Sequence, residues 1–317
     1  MLAGAVFTWL LLGADSGEAS RRIGQVAGTL RTADRSAVAC AAVLYGISIT
    51  LRAIRWSLLA HRSGAGPLRL LPVTATHIGL GHVLPARISD ILMIGLLRGI
   101  LGIRAAHGTA AVLLSKLLDL LAVGLVVALA AAGGAGSTAM QAASVLLLLV
   151  AVAGLAFLRR ILDLFRRLAG RFLERKPRLA RFAADLAEAS GLWQERRSRT
   201  LLAVSISIAI WVAKLFMFVQ LVSAVHLLAG LPVWKVFFAG AATELIMALP
   251  IQGLFGLGVA EAGWAGGLAL VGVGGERAVL SGFSVHLIWM AMAVCLMLIS
   301  LPALPFAAGK KVSCGRR

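Results

Sequence analysis

Apolar runs separated by short polar segments make up most of the chain. Clear runs that approach or exceed the ~20 residues of a membrane-spanning helix cover residues 36–59, 105–132, 142–158, 200–228 and 278–301. The first 13 residues are also apolar, and they suit a shortened first span as well as a signal peptide that lacks its basic start. The pattern predicts an all-α polytopic membrane protein with about eight membrane segments.

Two further apolar stretches, residues 70–97 and 232–270, are interrupted by a proline, glycines and a carboxylate. In lipid, a broken helix is tolerated only where protein or an aqueous cavity surrounds it. A charged group at that depth costs about 2.5–3.5 kcal/mol and usually marks a pathway. One such break in each half of a chain is typical of a transporter's binding site.

The distribution of basic residues predicts the topology. Residues 159–199 hold twelve Lys or Arg against five Asp or Glu, which indicates a cytoplasmic amphipathic linker. Stretch 70–97 has basic flanks and stretch 232–270 has nearly uncharged ones, so we expect two re-entrant helical hairpins that enter from opposite faces. The expected organisation is a membrane half at 1–158, the linker, a second half at 200–308 and a basic cytoplasmic tail at 309–317.

A weak internal similarity between the two halves favours an inverted repeat. Each half contains a break, a carboxylate (Asp90 or Glu261), a short loop with glycine, and a span with a titratable residue. An offset of 170 places Lys116 opposite His286. We therefore expect two hairpins with equivalent positions in the fold.

Composition excludes several classes of function. The chain has 317 residues, is 60% hydrophobic and carries a net charge of +18, but the charge lies mostly between apolar runs and no nucleic-acid-binding motif is present. Its three cysteines and six histidines show no disulfide or metal-binding spacing. We expect membrane lipids with anionic headgroups as partners, and no cofactor or metal.

Asp90, Asp119, Glu244 and Glu261 are the only acidic residues within the apolar runs. Lys116 lies three residues before Asp119 on one helical face, so the two can pair. This pair is either a structural ion pair or part of an anion or proton site.

The remaining candidates lie at the breaks. Arg87 suits bidentate binding of phosphate or carboxylate, or else it pairs with Asp90. Gly256 and Gly258 allow either close approach of a ligand or tight helix packing. The tryptophans are expected mostly as interface anchors. The predicted substrate-binding set, with no catalytic or metal-binding member, is His82, Pro85, Arg87, Asp90, Lys116, Asp119, Glu244, Pro250, Gln252, Gly256, Gly258, Glu261 and His286.

Four segments carry a resemblance to a known family. They are Leu51–Trp56, His82–Asp90, Leu113–Leu121 and Leu249–Glu261. The chain resembles the lysylphosphatidylglycerol synthase membrane-domain family, also described as flippase-like integral membrane proteins, over roughly Leu51 to Pro302. The resemblance implies about eight membrane segments and movement of a lipid or lipid-linked molecule between leaflets.

The chain departs from the family pattern at several positions. The family usually has Asn at the position of His82, Gly-Glu at Ser89-Asp90, Arg at Met93, Glu-Arg at Ser115-Lys116 and Arg at His286. These departures indicate a divergent member. No aminoacyl-transferase domain follows, so the chain is not expected to synthesise an aminoacylated lipid itself.

Three hypotheses follow. The first is a flippase-like translocase of an anionic lipid or lipid-linked molecule in the bacterial inner membrane, with a cytoplasmic C-terminus and no enzyme activity. The second is a non-catalytic partner subunit of a lipid- or glycan-modifying enzyme, docked through residues 159–199. The third is a membrane enzyme acting on lipid phosphates, which would need a nucleophile–base or metal constellation.

Overall fold

The structure is a computed structural model that describes residues 16–60, 65–85, 88–133, 197–249, 251 and 253–308, with scattered positions between 138 and 186. The predicted site residues Arg87, Pro250 and Gln252 lie outside the described residues. So do most of the predicted linker and the whole C-terminal tail.

The described residues are mostly α-helical. The α-helices are α1 (Ser16–Arg31), α2 (Arg35–Leu59), α3 (Pro67–Val83), α4 (Ile88–Leu101), α5 (Ala105–Gly133), α6 (Arg197–Val225), α7 (Val233–Met247), α8 (Val259–Leu270), α9 (Glu276–Ser300) and α10 (Leu304–Ala307). Two 3-10 turns cover Leu254–Gly256 and Leu301–Ala303.

Four helical stretches are long and apolar enough to cross a membrane. They are Arg35–Leu59, Ala105–Leu129, Ser198–Val225 and Glu276–Ala307. The four helices of the two broken stretches have only 12 to 17 residues. At 1.5 Å per residue they extend roughly 18–25 Å, less than the ~30 Å of hydrocarbon in a bilayer. The prediction of an all-α polytopic membrane protein is confirmed.

Both breaks have a local chemical cause. Helix α3 ends at Val83, two residues before Pro85, as expected because the residue before a proline is disfavoured in the α region. After α7, the chain turns through left-handed backbone at Phe255 (φ 60°), Gly256 (φ 65°) and Gly258 (φ 83°). Glycine adopts this conformation without a steric penalty, so α8 can restart at Val259 after a tight turn.

Helices α7 and α8 form an antiparallel hairpin. A Cβ on Gly263 would lie 2.8 Å from the Thr243 Cα, and one on Gly267 would lie 2.9 Å from the Ala239 Cα. Along this contact the residue numbers of α8 increase while those of α7 decrease, so the two helices run in opposite directions. Small residues four apart permit this close approach.

The two halves share one arrangement of elements. Each contains a long helix, two short helices around a break, and another long helix: α2 to α5, and α6 to α9. Their contacts also correspond, since α3 packs on α9, α7 packs on α5, and α2 packs on α6. This correspondence supports the predicted repeat.

The register of the repeat differs by one residue from the sequence-based offset. Asp90 and Glu261 are each the third residue of their helices, α4 and α8. Helix α5 starts at residue 105 and α9 at residue 276, so Ser115 lies opposite His286. The predicted equivalence of Lys116 and His286 is therefore wrong by one residue, because one more residue lies between Gly272 and the start of α9 than between Gly102 and the start of α5.

The largest hydrophobic core of the described residues centres on α6 and α2 and extends to α3, α5, α7, α8 and α9. Tyr45, Leu215, Phe218 and Leu221 are buried there. Helix α1 packs on α9 by inserting Val26 against Leu280 and Phe283. Four tryptophans, Trp56, Trp211, Trp264 and Trp289, are also buried. The expectation of interface anchors is wrong for these four, because their rings fill contacts between helices.

Candidate functional site

Polar side chains inside the helix bundle form two clusters, one beside each break. The first cluster consists of Arg52, Arg55, His77, Asp90, Ser115, Lys116, Asp119, Ser207 and Trp211. The second cluster consists of Tyr45, His82, Lys214, Glu244, Glu261, His286 and Trp289. With neutral histidines, the described members sum to +1 in the first cluster and −1 in the second.

Asp119 is the anchor of the first cluster. Its oxygens accept hydrogen bonds from Arg55 Nη1 (2.8 Å) and Nη2 (3.1 Å), from Arg52 Nη1 (3.2 Å) and from Trp211 Nε1 (3.1 Å). Arg55 is completely buried and also donates to two serine hydroxyls. A buried charge pair with this many partners is held in one geometry. The Arg55–Asp119 pair therefore connects α2 to α5.

This arrangement corrects two expectations. Lys116 and Asp119 were predicted to pair because they lie three residues apart, but Asp119 binds arginines of α2 and Lys116 binds Asp90 of α4. Arg52, Arg55 and Trp56 resemble an interface anchor set in sequence, yet Arg55 and Trp56 are buried. Helix α2 turns this basic end toward α5 and α6 instead of the headgroup region.

Asp90 lies at the open side of the first cluster. One of its oxygens, Oδ1, is 3.0 Å from Lys116 Nζ and 3.2 Å from His77 Nε2. The Lys116 side chain is 41% exposed and the Asp90 side chain 19%. Lys116 is therefore reachable from outside the bundle while it still contacts a carboxylate.

A small, partly enclosed pocket of about 30 Å³ adjoins these residues. Its polar wall is formed by Arg52, His77, Asp90, Lys116 and Asp119, and its apolar wall includes Trp56, Ile78 and Val112. The pocket has room for water but not for a lipid headgroup, although an apolar wall with a few convergent charged groups is typical of the lining of a ligand site.

Glu261 occupies the corresponding position in the second cluster, but it is sealed. Its Oε2 accepts a hydrogen bond of 2.7 Å from the Gly258 backbone N–H, and its Oε1 lies 2.7 Å from His286 Nδ1. The two side chains are 0% and 3% exposed. The other imidazole nitrogen, His286 Nε2, is buried and has no hydrogen-bond partner among the described residues.

Lys214 connects the two clusters. Its Nζ lies 2.7 Å from Glu244 Oε1, 5.0 Å from the Trp289 ring and 5.8 Å from the Trp211 ring. An ammonium over an indole face gains cation–π attraction. Because Trp211 also donates to Asp119, polar contacts run from Asp119 to Glu244.

His82 completes the second cluster. Its ring lies edge-on to Trp289 at 4.3 Å between centroids, and its Nε2 is 3.5 Å from the Tyr45 hydroxyl. His82 is in the last turn of α3, so the first hairpin reaches the second cluster. The 3-10 turn at Leu254–Gly256 also packs against α3, so the second break lies against the first hairpin.

The structure brings together most of the predicted site residues that it describes. His82, Glu244, Gly258, Glu261 and His286 belong to, or directly contact, the second cluster. Asp90, Lys116 and Asp119 belong to the first. Gly256 lies over His286, since a Cβ on it would be 3.8 Å from His286 Cε1. Pro85 is half-buried beyond the end of α3, and its carbonyl oxygen accepts a hydrogen bond of 3.2 Å from the Ile88 backbone N–H.

Several members of the two clusters were not predicted from the sequence. Arg52, Arg55, His77 and Lys214 were seen within or beside apolar runs but were not assigned to a site. One signal could have found two of them: Arg52 and Lys214 are each the eighteenth residue of their long helices, α2 and α6. Comparison of the two halves by helix position would have paired these cations.

Among the described residues, no group of three or more His, Cys, Asp or Glu side chains is placed to hold a metal ion.

A family model described as Lysylphosphatidylglycerol synthase TM region matches residues 1–297. Searches of curated proteins and of solved structures gave no match. The chain belongs to the family of the lysylphosphatidylglycerol synthase transmembrane region, and the resemblance noted in the sequence is confirmed. Family membership and the apolar helices together identify a multi-pass membrane protein.

Proposed function

We propose that this protein is a flippase-like membrane protein that moves an anionic lipid or lipid-linked molecule between leaflets, and that it is not an enzyme. We place it in the bacterial inner membrane with its C-terminus in the cytoplasm. The observation that carries the proposal is the partly exposed ion pair of Lys116 and Asp90, which lines a small pocket beside the first break.

The charges around the pocket suit an anionic headgroup. The first cluster has three cations, Arg52, Arg55 and Lys116, against two carboxylates, Asp90 and Asp119. Arg55 and Asp119 hold each other in the interior, whereas Lys116 is partly exposed. A phosphate that reaches the exposed side of Lys116 would compete with Asp90 for the ammonium, and this exchange would replace one ion pair with another.

The surroundings of Lys116 suit lateral entry of a lipid. Leu113 lies one turn before Lys116 on the same face of α5 and is 40% exposed. Ile91, next to Asp90, is 70% exposed. Such apolar side chains would contact acyl chains while the headgroup reaches Lys116.

The short helices support two re-entrant hairpins. Neither α3 nor α4, and neither α7 nor α8, is long enough to cross the hydrocarbon alone. In the proposed arrangement α3–α4 enters from the cytoplasm, α7–α8 enters from outside, and the two breaks meet near the midplane, as in inverted-repeat transporters.

Translocation is measurable in proteoliposomes that contain a fluorescent phosphatidylglycerol, with a membrane-impermeant quencher of the outer leaflet. We expect labelled lipid of the inner leaflet to become accessible to the quencher faster in liposomes with wild-type protein than in empty liposomes. Lys116→Gln should slow this exposure because it removes the exposed cation, and Lys116→Arg should retain part of it.

Arg104→Gln is the matched control, since Arg104 lies at the start of α5 and forms an exposed ion pair with Asp185. A wild-type rate equal to that of empty liposomes would refute translocation of this lipid class. Equal rates for wild type and Lys116→Gln would remove the proposed role of the Lys116–Asp90 pair.

Single-cysteine labelling in intact cells tests the orientation. After replacement of Cys40, Cys295 and Cys314, a cysteine at residues 229–233 should react with an impermeant reagent, whereas one at 309–317 should not. The opposite result would invert the proposed topology.

A second candidate function is a membrane partner subunit, favoured by the internal pairing of the clusters. Each carboxylate of the two clusters already contacts a basic or histidine side chain, so the network could serve stability alone. A stoichiometric lipid- or glycan-modifying enzyme that co-purifies, with function unaffected by Lys116→Gln, would support this alternative.

A further inference from the structure

A carboxylate–histidine pair lies beside each break. Asp90 Oδ1 is 3.2 Å from His77 Nε2, and Glu261 Oε1 is 2.7 Å from His286 Nδ1. Each carboxylate is the third residue of the helix that follows its break. The first pair lines the small, partly enclosed pocket, whereas the second is sealed.

The geometry of the second pair defines which atom can take up a proton. Gly258 N–H fixes one oxygen of Glu261, and the other oxygen faces His286 Nδ1. A carboxylate accepts hydrogen bonds, so the facing Nδ1 carries the proton in the neutral imidazole. This assignment of the tautomer from its partner leaves Nε2 as the acceptor, and Nε2 has no partner among the described residues.

We propose that His286 Nε2, oriented by Glu261, is a proton-binding site that is sealed in this conformation, and that its protonation accompanies opening of the second break and is coupled to lipid movement. The coupling rests on the proposed function; the proton site itself does not.

The charged groups of the second cluster do not cancel among the described residues. Its titratable groups come from several packed helices: Tyr45 of α2, His82 of α3, Lys214 of α6, Glu244 of α7 and Glu261 of α8. Lys214 and Glu244 offset each other, which leaves the carboxylate of Glu261, and a proton on His286 would offset that charge.

The second break covers His286. A Cβ on Gly256 would lie 3.8 Å from His286 Cε1 and 2.6 Å from Met247 Cε, so the turn leaves little free space there. A protonated Nε2 becomes a donor and needs an acceptor. In the proposed coupling, the turn moves on protonation so that water or a headgroup reaches Nε2.

The coupling is tested by imposing a pH gradient of one unit on the proteoliposomes described above. For one proton per lipid, the gradient can bias the distribution of labelled lipid up to about tenfold, since one pH unit corresponds to a tenfold change in proton concentration. We expect the bias in wild type and its loss in Glu261→Gln and His286→Gln. Glu276→Gln and His226→Gln, at exposed positions, should keep it.

The proton site is tested separately by ¹⁵N NMR of histidine-labelled wild-type protein in detergent micelles, with His286→Gln to assign the signal. We expect the signal of His286 Nε2 to be that of an unprotonated nitrogen in alkaline buffer and that of a protonated nitrogen in acidic buffer. A signal that is the same in both buffers would overturn the proton site.

The outcomes separate the two proposals. Lipid movement that is independent of the gradient would overturn the coupling and leave the proposed function in place. No lipid movement, together with titration of His286, would refute the proposed function and leave the proton site in place.

Discussion

The two breaks place a carboxylate at the same point of the fold but give it different surroundings. Asp90 contacts Lys116 and His77 at the edge of a small, partly enclosed pocket. Glu261 is enclosed by His286 and the Gly258 amide. A repeated backbone arrangement can thus leave one ionic site accessible at the surface of the helix bundle and bury the other. In an alternating-access mechanism, the two sites would exchange these states.

The two halves also differ in the cations that bind their buried or partly buried carboxylates. In the first half, Arg52 and Arg55 of α2 both bind Asp119 of α5. In the second half, the single Lys214 of α6 binds Glu244 of α7. Among the described residues, the first cluster has three cations, Arg52, Arg55 and Lys116, for two carboxylates, whereas the second has only Lys214 for two carboxylates. With neutral histidines, the two clusters therefore carry opposite net charges.

The largest predicted effect tests whether the Arg55–Asp119 pair holds the first half together. Arg55→Met should lower the free energy of unfolding by about 3–5 kcal/mol, because it leaves a buried carboxylate without its main partner. Chemical denaturation in mixed detergent micelles measures this change.

The controls are Arg52→Met and the double variant Arg55→Met with Asp119→Leu. Arg52→Met should cost less because Arg52 makes one longer contact, and the double variant should recover stability because neither charge remains. A double variant less stable than Arg55→Met would contradict this account.

The second effect compares the sealed and the open carboxylate directly. Glu261→Ala should cost about 2–3 kcal/mol, since it breaks two hydrogen bonds to a buried charge. Asp90→Ala should cost about 1 kcal/mol or less, because the solvent reaches the Lys116 that it leaves. Thermal and denaturant unfolding of both variants test the order, and a larger loss for Asp90→Ala would contradict the comparison.

The third effect concerns the turn that closes the second break. Gly256→Ala should destabilise by about 1–2 kcal/mol, because alanine is strained at φ 65°. The added methyl group only displaces the flexible end of Met247. Gly95→Ala is the control, since a Cβ there meets nothing within 4 Å in the middle of α4, and it should be neutral or stabilising. Equal effects would show that the left-handed turn is not required.

The smallest predicted change in stability concerns an ion pair that lies outside both breaks and serves as the reference for an exposed pair. Arg21 Nη2 and Glu276 Oε1 form an exposed ion pair at 2.9 Å. Arg21→Ala should change stability by less than about 1 kcal/mol, because water and salt screen such pairs. If its cost equals that of Glu261→Ala, burial is not what distinguishes these ion pairs.

The sequence was informative wherever a property depends on local spacing. Apolar run lengths located the helices, and Pro85 and the glycines after Met247 located the breaks. Four acidic residues in apolar runs marked the interior network. The residue offset between the two halves was harder to predict, because a one-residue difference in a loop changes which side chains occupy equivalent positions. By helix position, His286 corresponds to Ser115 and not to Lys116.

By itself, the sequence determined the helical membrane architecture, its two interruptions and the chemical types of the buried groups, since hydrophobicity and backbone chemistry act over a few residues. The tertiary structure decided which charges meet. Asp119 binds Arg55, 64 residues away along the chain, because helix packing and rotation place them together. Only the packed helices decided that Asp90 is open and Glu261 is sealed, because access depends on neighbours that are distant in sequence.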